Sequence, residues 1–163
     1  MTATWAWSGA FRIHEILSKE KDTFDPTSTL LCKDVAYSNI VINGQNHKCI
    51  KVHLKNPKEG GLGAGINMDL FPATGDSSWM CPVSAYEKWK ADSAVKPSLN
   101  LPMFRLRGGS SYTGREFNSD LNRLLEKEAG KLNGTITSHS FRQGLATAMA
   151  QAGQNFLLVC GGI

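Results

Sequence analysis

The sequence predicts an α+β domain that is mainly α-helical and carries a small antiparallel β-sheet. Several segments repeat apolar residues at helical spacing, and two short alternating segments flank Asn43-Gly44, a dipeptide typical of β-hairpin turns. The 163 residues fit a single domain that is large enough to bury a core. No apolar run is long enough to cross a bilayer, and the first residues lack the basic and aliphatic regions of a signal peptide.

The first predicted element is a helix over residues 4–19, in which Phe11 belongs to an apolar side. Arg12 and Glu15 are three residues apart, so a helix would place them on one face. Residues 21–34 contain an Asp-Pro pair and many serines and threonines, and this composition predicts a loop.

Residues 35–42 and 48–54 are the predicted hairpin strands, and residues 66–71 are a candidate third strand. Alternation in the second strand places Ile50 and Val52 on the face that enters the core. The opposite face is predicted to present a basic stripe with two imidazoles to solvent or ligand. Its members are His47, Cys49, Lys51, His53 and Lys55.

Three more helices are predicted, over residues 82–94, 113–131 and 138–152. Pro82 occupies the first turn of its helix, where proline is favoured. Thr113 is followed three residues later by a glutamate, which is the spacing of a capping box. The last helix has an apolar stripe with a histidine, an arginine and a glutamine beside it.

Positive charge is concentrated in two stretches of a chain whose formal net charge is +4. Residues 45–58 carry four lysines and no acidic residue. Residues 105–142 carry seven basic residues against four acidic ones, and include five of the six arginines. A basic surface of this kind suits a polyanion, because neutralised phosphates release counterions. The alternative is an ordinary solvated lysine face.

Four scattered cysteines, without a C-x-x-C pair, indicate a reduced intracellular protein, nuclear in a eukaryote and cytoplasmic in a prokaryote. Two segments carry partial patterns for other ligands. The glycine-rich residues 57–65 lack the Gly-Lys-Ser/Thr of a phosphate loop, so no nucleotide is expected. Cys32, His47, Cys49 and His53 could be drawn as a zinc site, but they lack knuckle spacing, so no metal is expected.

Four segments, taken in order, resemble the tyrosine recombinases, the phage integrase family. Gly9–Leu17 (GAFRIHEIL) resembles the G-x-R-x-x-E-L box, and Ser138–Thr147 (SHSFRQGLAT) resembles the H-x-x-R box. Leu54–Pro57 is similar to the segment that carries the β-hairpin lysine. Met80–Ala85 (MCPVSA) resembles the Cys-Pro-Val segment of Crypton-type and DIRS-type mobile-element recombinases.

The resemblance implies the catalytic-domain fold of the tyrosine recombinases. It also implies a reaction on double-stranded DNA, in which strands are broken and rejoined for recombination or integration. A tyrosine hydroxyl attacks a phosphodiester and forms a 3′-phosphotyrosyl bond, without metal or nucleotide cofactor. Arg12 and Arg142 would clamp the phosphate oxygens, for which guanidinium groups are suited. Lys55 would be the general acid, His139 would assist proton movement, and Glu15 would support Arg12.

Further contacts to DNA are expected from the basic residues around these boxes. Lys58 is the alternative to Lys55 as the hairpin lysine. The full-length protein is expected to form homo-oligomers on DNA, as the family does. The expected DNA-binding residues are Lys51, His53, Lys58, Arg105, Arg107 and Arg115.

The sequence departs from the family at the nucleophile. Tyr37, Tyr86 and Tyr112 all precede the second arginine box, whereas the family's tyrosine follows it. We therefore expect residues 1–163 to be a C-terminally incomplete catalytic domain that is inactive alone. Two alternatives stay open, a recombinase-derived module that binds DNA without cutting it and a structural or protein-interaction domain.

Overall fold

The computed structural model describes residues 1–42, 44–55, 65–73, 78, 80–92, 98–130, 137, 139–140, 143–144 and 147. The α-helices with defined bounds are α1 (Thr2–Ser8), α2 (Ile13–Ile16), α3 (Pro82–Ala91) and α4 (Gly114–Ala129), and a short 3-10 helix, Cys32–Asp34, ends the segment predicted as a loop. The strands are β1 (Val35–Ile42), β2 (Gln45–Leu54) and β3 (Ile66–Leu70). The predicted combination of helices with a small antiparallel sheet is confirmed. In these described ranges no helix has the length and apolar character needed to cross a membrane.

A continuous helix over residues 4–19 is wrong, because the chain breaks between α1 and α2. Gly9 and Ala10 donate their backbone N–H groups to carbonyls of the last turn of α1, which ends the helix. Ala10 then takes a positive φ of 50°, which no helix residue has. A side chain at Gly9 would meet the ring of Phe11 at 2.5 Å, so only glycine fits at this bend.

The three strands form one sheet in the order β1-β2-β3, with both pairs antiparallel. The predicted core face of β2 is confirmed, since Ile50 and Val52 are fully buried. The predicted basic stripe on the opposite face is wrong at two positions. Cys49 is fully buried, and the Lys55 side chain is only 16% exposed, because both lie against other parts of the chain.

The helices α3 and α4 begin where the sequence predicts. Cys81 precedes Pro82 and its sulfur accepts the backbone N–H of Ser84. In α4 the Thr113 hydroxyl accepts the Glu116 N–H at 3.3 Å, and the Glu116 carboxylate accepts the Thr113 N–H at 3.0 Å. This reciprocal pair confirms the capping box. Both helices end two or three residues before the predicted positions, at Ala91 and Ala129.

Trp5 joins α1 to the rest of the core. Its indole N–H donates to the Pro82 carbonyl at 3.2 Å, and its ring packs against Tyr86 and Phe104. Because Trp5 is completely buried, α1 is fixed against α3, and the bend that follows α1 is held in a set direction.

Candidate functional site

The bend between α1 and α2 places Arg12 and Glu15 at the start of α2. Arg12 is the N-cap, with extended backbone angles, and Glu15 is the third helical residue. The Glu15 carboxylate accepts one hydrogen bond from the Arg12 backbone N–H at 2.7 Å and another from the Arg12 guanidinium at 3.2 Å. One carboxylate therefore caps the helix and fixes the guanidinium, which explains the spacing of three between the two residues.

Residues near the second box lie close to this bend. A side chain on Gly144 would meet the Trp7 ring at 3.0 Å, so Gly144 packs against the end of α1. His139 and Gly144 both have helical backbone, and the His139 side chain is exposed. Arg142 lies outside the described residues. On the other side, Gly114 at the start of α4 contacts the side chain of Ile13.

Lys55 occupies a socket made by the loop before β1. Its ammonium contacts an Asp34 carboxylate oxygen at 2.5 Å. It also donates to the Pro26 carbonyl at 2.9 Å and to the Thr29 carbonyl at 3.1 Å. Asp34 is itself only 8% exposed, so this ion pair is largely removed from water. We name these three acceptors, from Pro26, Thr29 and Asp34, the lysine socket.

The remaining predicted DNA contacts are distributed over several elements. His53 is half-buried, and its Nδ1 lies 2.9 Å from the Asn67 side-chain oxygen. Arg105 is half-buried in the connection between α3 and α4. Lys58 lies outside the described residues. The exposed members of the predicted set are Lys51, Arg107 and Arg115.

Each of the three tyrosines contacts a neighbouring side chain. Tyr112 donates its hydroxyl to Asp120 at 2.9 Å, and burial together with this hydrogen bond raises the pKa of Tyr112. Burial also raises the pKa of Tyr86, which stacks on Trp89. Tyr37 is partly exposed with the Lys48 ammonium 4.2 Å from its ring centre. A raised pKa opposes the phenolate character that a nucleophile needs.

The zinc site considered above is not assembled. In the described part of the chain, no three His, Cys, Asp or Glu side chains are grouped closely enough to hold a metal ion. Cys32 and Cys49 contact different carbonyls, those of Pro102 and Ser38. Burial raises the pKa of both thiols, which opposes the thiolate form that binds metals.

Sequence reasoning missed the lysine socket. Asp34 belongs to a segment whose composition predicts a loop, and two of the three acceptors are backbone carbonyls, which no side-chain pattern marks. The usable signal was Asp25, because an aspartate followed by threonine and serine predicts a tight hydrogen-bonded turn. Asp25 indeed accepts from Thr27 and Ser28, and this turn presents the Pro26 and Thr29 carbonyls.

Comparison with solved structures supports the fold. The chain is similar to XerH site-specific recombinase in a pre-cleavage complex with its difH substrate, with a TM-score of 0.60 and 17% identity. It is also similar to the Tn1549 transposon integrase in complex with circular intermediate DNA, with a TM-score of 0.50 and 17% identity. The described chain therefore shares the fold of the matched part of a site-specific recombinase and of a transposon integrase.

The similarity covers 97% and 98% of this chain, but only 36% of the XerH chain and 49% of the Tn1549 integrase chain. This chain therefore spans half or less of those recombinases. No protein-family model matches the sequence, and no curated protein matches it.

Proposed function

We propose that this chain is the catalytic region of a tyrosine recombinase that breaks and rejoins double-stranded DNA. The observation that carries the proposal is the Arg12–Glu15 arrangement on a fold similar to site-specific recombinases captured on DNA. A cation held by a capping carboxylate at a rigid bend suits phosphate binding. Its direction is fixed before the substrate arrives.

In the proposed reaction, Arg12 and Arg142 bind the non-bridging oxygens of the scissile phosphate and stabilise the charge that develops on them. The contact between Trp7 and Gly144 supports their proximity, because Gly144 follows Arg142 by two residues. His139 assists proton movement, and Lys55 protonates the leaving oxygen. The Cys-Pro-Val segment that begins α3 supports a relationship to the Crypton and DIRS type.

The attacking tyrosine is proposed to be none of Tyr37, Tyr86 and Tyr112. The structural environments of these side chains also support a second candidate, a recombinase-derived module that binds DNA and does not cut it. A nicked suicide duplex distinguishes the two. We expect residues 1–163 alone to form no covalent adduct, and adduct formation to need a tyrosine supplied by an added helix or a neighbouring protomer. An adduct of the unmodified chain that is lost in Tyr112→Phe would contradict this assignment.

Fluorescence anisotropy with a labelled duplex tests DNA binding over a series of salt concentrations. We expect affinity to fall as salt rises and to be unchanged by a chelator, since the proposed clamp is made of permanent cations. Arg12→Ala should weaken binding about tenfold and lower the salt slope by about one. Arg142→Ala should act in the same direction.

Arg123→Ala is the matched control. Arg123 also pairs with a carboxylate three residues away, Asp120 at 3.0 Å, but on the exposed side of α4. It should change affinity by less than about twofold. Equal losses for Arg12→Ala and Arg123→Ala would mean that Arg12 contributes only general charge, and would remove the basis of the proposal.

A further inference from the structure

We propose that the lysine socket withholds Lys55 from DNA in the free protein and releases it to a phosphate when DNA binds. This inference rests on the proposed function, because it concerns the residue proposed as the general acid. It adds a step that precedes the chemistry, namely the exchange of three protein acceptors for an oxygen of the substrate.

The geometry of the socket carries the inference. A lysine ammonium has three N–H donors and no acceptor. Here the three donors face three acceptors, the Asp34 carboxylate and the carbonyls of Pro26 and Thr29, at 2.5, 2.9 and 3.1 Å. The docked ammonium therefore has no N–H left for the leaving oxygen of a phosphodiester. A general acid must reach its oxygen directly or through one water, so the docked lysine cannot protonate it.

Hydrogen bonds that do not involve Lys55 hold the acceptors of the socket. The Asp25 backbone carbonyl accepts the N–H of Ser28 at 3.2 Å and that of Thr29 at 2.8 Å. The Asp25 carboxylate accepts the Thr27 N–H at 2.9 Å. At the other end, Asp34 accepts the Leu31 N–H at 2.7 Å. Because local hydrogen bonds hold both ends of this loop, the acceptors keep their positions when the lysine leaves.

A phosphate oxygen can compete with the socket for the ammonium. Asp34 supplies one negative charge, and the two carbonyls supply dipoles only. A DNA duplex supplies a dense row of charges, and each phosphate contact is strengthened by counterion release. The release is therefore coupled to substrate binding, and the lysine is exposed only when its target is present.

Competitive amine acetylation of the chain, read by peptide mass spectrometry, measures the docking. Lys51 is the internal control, since it lies on β2, four residues before Lys55, and is exposed. We expect Lys55 to be acetylated about tenfold more slowly than Lys51, because its donors are hydrogen-bonded and buried. Asp34→Asn should raise the Lys55 rate and leave the Lys51 rate unchanged. Equal rates for Lys55 and Lys51 in the unmodified chain would overturn the inference.

Duplex binding measures the release. Asp34→Asn should tighten binding about five- to tenfold near 0.1 M salt, because the variant no longer has to break the Asp34–Lys55 ion pair before Lys55 contacts a phosphate. Glu87→Gln is the matched control, because it removes the same charge and frees Lys48, which is already exposed. It should tighten binding less than about twofold. The double variant Asp34→Asn with Lys55→Ala should lose the gain.

The two measurements separate this inference from the proposed function. If the unmodified chain binds DNA and Asp34→Asn gains no more than Glu87→Gln, the release step is overturned and the function stands. If no variant binds DNA at low salt, the proposed function and the release step both fail. Acetylation then still decides whether Lys55 is docked. If Asp34→Asn does not fold, the rates of Lys55 and Lys51 in the unmodified chain without duplex still decide, because a Lys55 rate equal to that of Lys51 overturns the inference.

Discussion

The ion pairs Arg12–Glu15 and Lys55–Asp34 are built in opposite ways. Arg12 and Glu15 are three residues apart, and the start of a helix brings them together. Lys55 and Asp34 belong to different elements, and they meet only when the loop before β1 closes on the end of β2. The first pair is a product of local geometry and the second of tertiary packing.

This difference bears on what each pair can do. The Arg12 side chain is 20% exposed beside a capping carboxylate, which suits a cation that keeps one direction. The Lys55 side chain is held by three acceptors from a separate loop, and it can be exchanged without disturbing a helix. We therefore expect a fixed clamp at Arg12 and a movable donor at Lys55. The following predictions test this contrast in order of expected effect.

The largest effect is expected for Asp34→Ala. This change leaves the Lys55 ammonium in a largely buried site without its carboxylate, and it leaves the Leu31 N–H without its acceptor. We expect the free energy of unfolding to fall by about 3 kcal/mol, in the range for breaking a buried ion pair. Urea unfolding measures the loss. Asp34→Asn, which keeps an oxygen for Leu31, should lose less, and a loss below about 1 kcal/mol for Asp34→Ala would show that the socket is not buried in solution.

A smaller effect is expected for Glu15→Ala, at about 1 to 2 kcal/mol. Glu116 provides the control, because it occupies the same third position of α4 and accepts the Thr113 N–H in the same way. Glu116 is paired with the Lys21 ammonium at 3.4 Å, and the Lys21 side chain is 56% exposed, so Glu116→Ala should lose only about 1 kcal/mol. Thermal or urea unfolding of both variants compares a cap carboxylate paired with a largely buried guanidinium with one paired with an exposed ammonium. Identical losses would mean that the Arg12 guanidinium adds no more to its cap than Lys21 adds to the α4 cap.

The contrast between local and tertiary contacts also explains which parts of the fold were predictable from the sequence. The helix starts at Pro82 and Thr113 were predictable, since caps depend on residues within one turn. The core face of β2 was predictable from its alternation. The break before Arg12 was not, because it depends on the Phe11 ring occupying the space beside Gly9. Helical spacing alone cannot detect a contact that forms only after the chain has bent.

The same limit applies to the candidate site. Arg12 and Glu15 were found as a pair because their spacing is local. Lys55 was correctly placed at the end of β2, but its burial was not predicted, since its acceptors are a residue 21 positions away and two carbonyls. A loop without side-chain periodicity gives no sign that it will close on a strand. The predicted roles of these residues stay predictions, as do those of His139, Arg142 and Lys58.

Tyr112 and Asp120 are eight residues apart in the sequence. This separation is larger than that of Arg12 and Glu15 and smaller than that of Asp34 and Lys55. The Tyr112 hydroxyl donates to Asp120 at 2.9 Å, so Tyr112→Phe should lower the free energy of unfolding by about 1 kcal/mol. Burial, with this hydrogen bond, raises the pKa of Tyr112 above its ordinary value of 10.0. The stabilisation is therefore complete below pH 10 and declines as the pH rises further. Unfolding of both proteins between pH 8 and about 11 should show the difference shrinking.

The smallest effect concerns the pH dependence of the α4 cap. A hydrogen bond from the Thr113 N–H, the largest cause, and the nearby Lys21 lower the pKa of Glu116 below 4.5. Because the folded pKa is lowered, the carboxylate stabilises the fold above about pH 4.5, and this contribution is lost as the pH falls through the folded pKa. Glu116→Gln should therefore differ most from the unmodified protein at neutral pH and least in acid. Lys21→Met should reduce the dependence of stability on pH in acid without abolishing it, because the Thr113 backbone hydrogen bond still lowers the pKa of Glu116. A difference that is constant from neutral pH to about pH 3 would show that the α4 cap does not depend on the charge of Glu116.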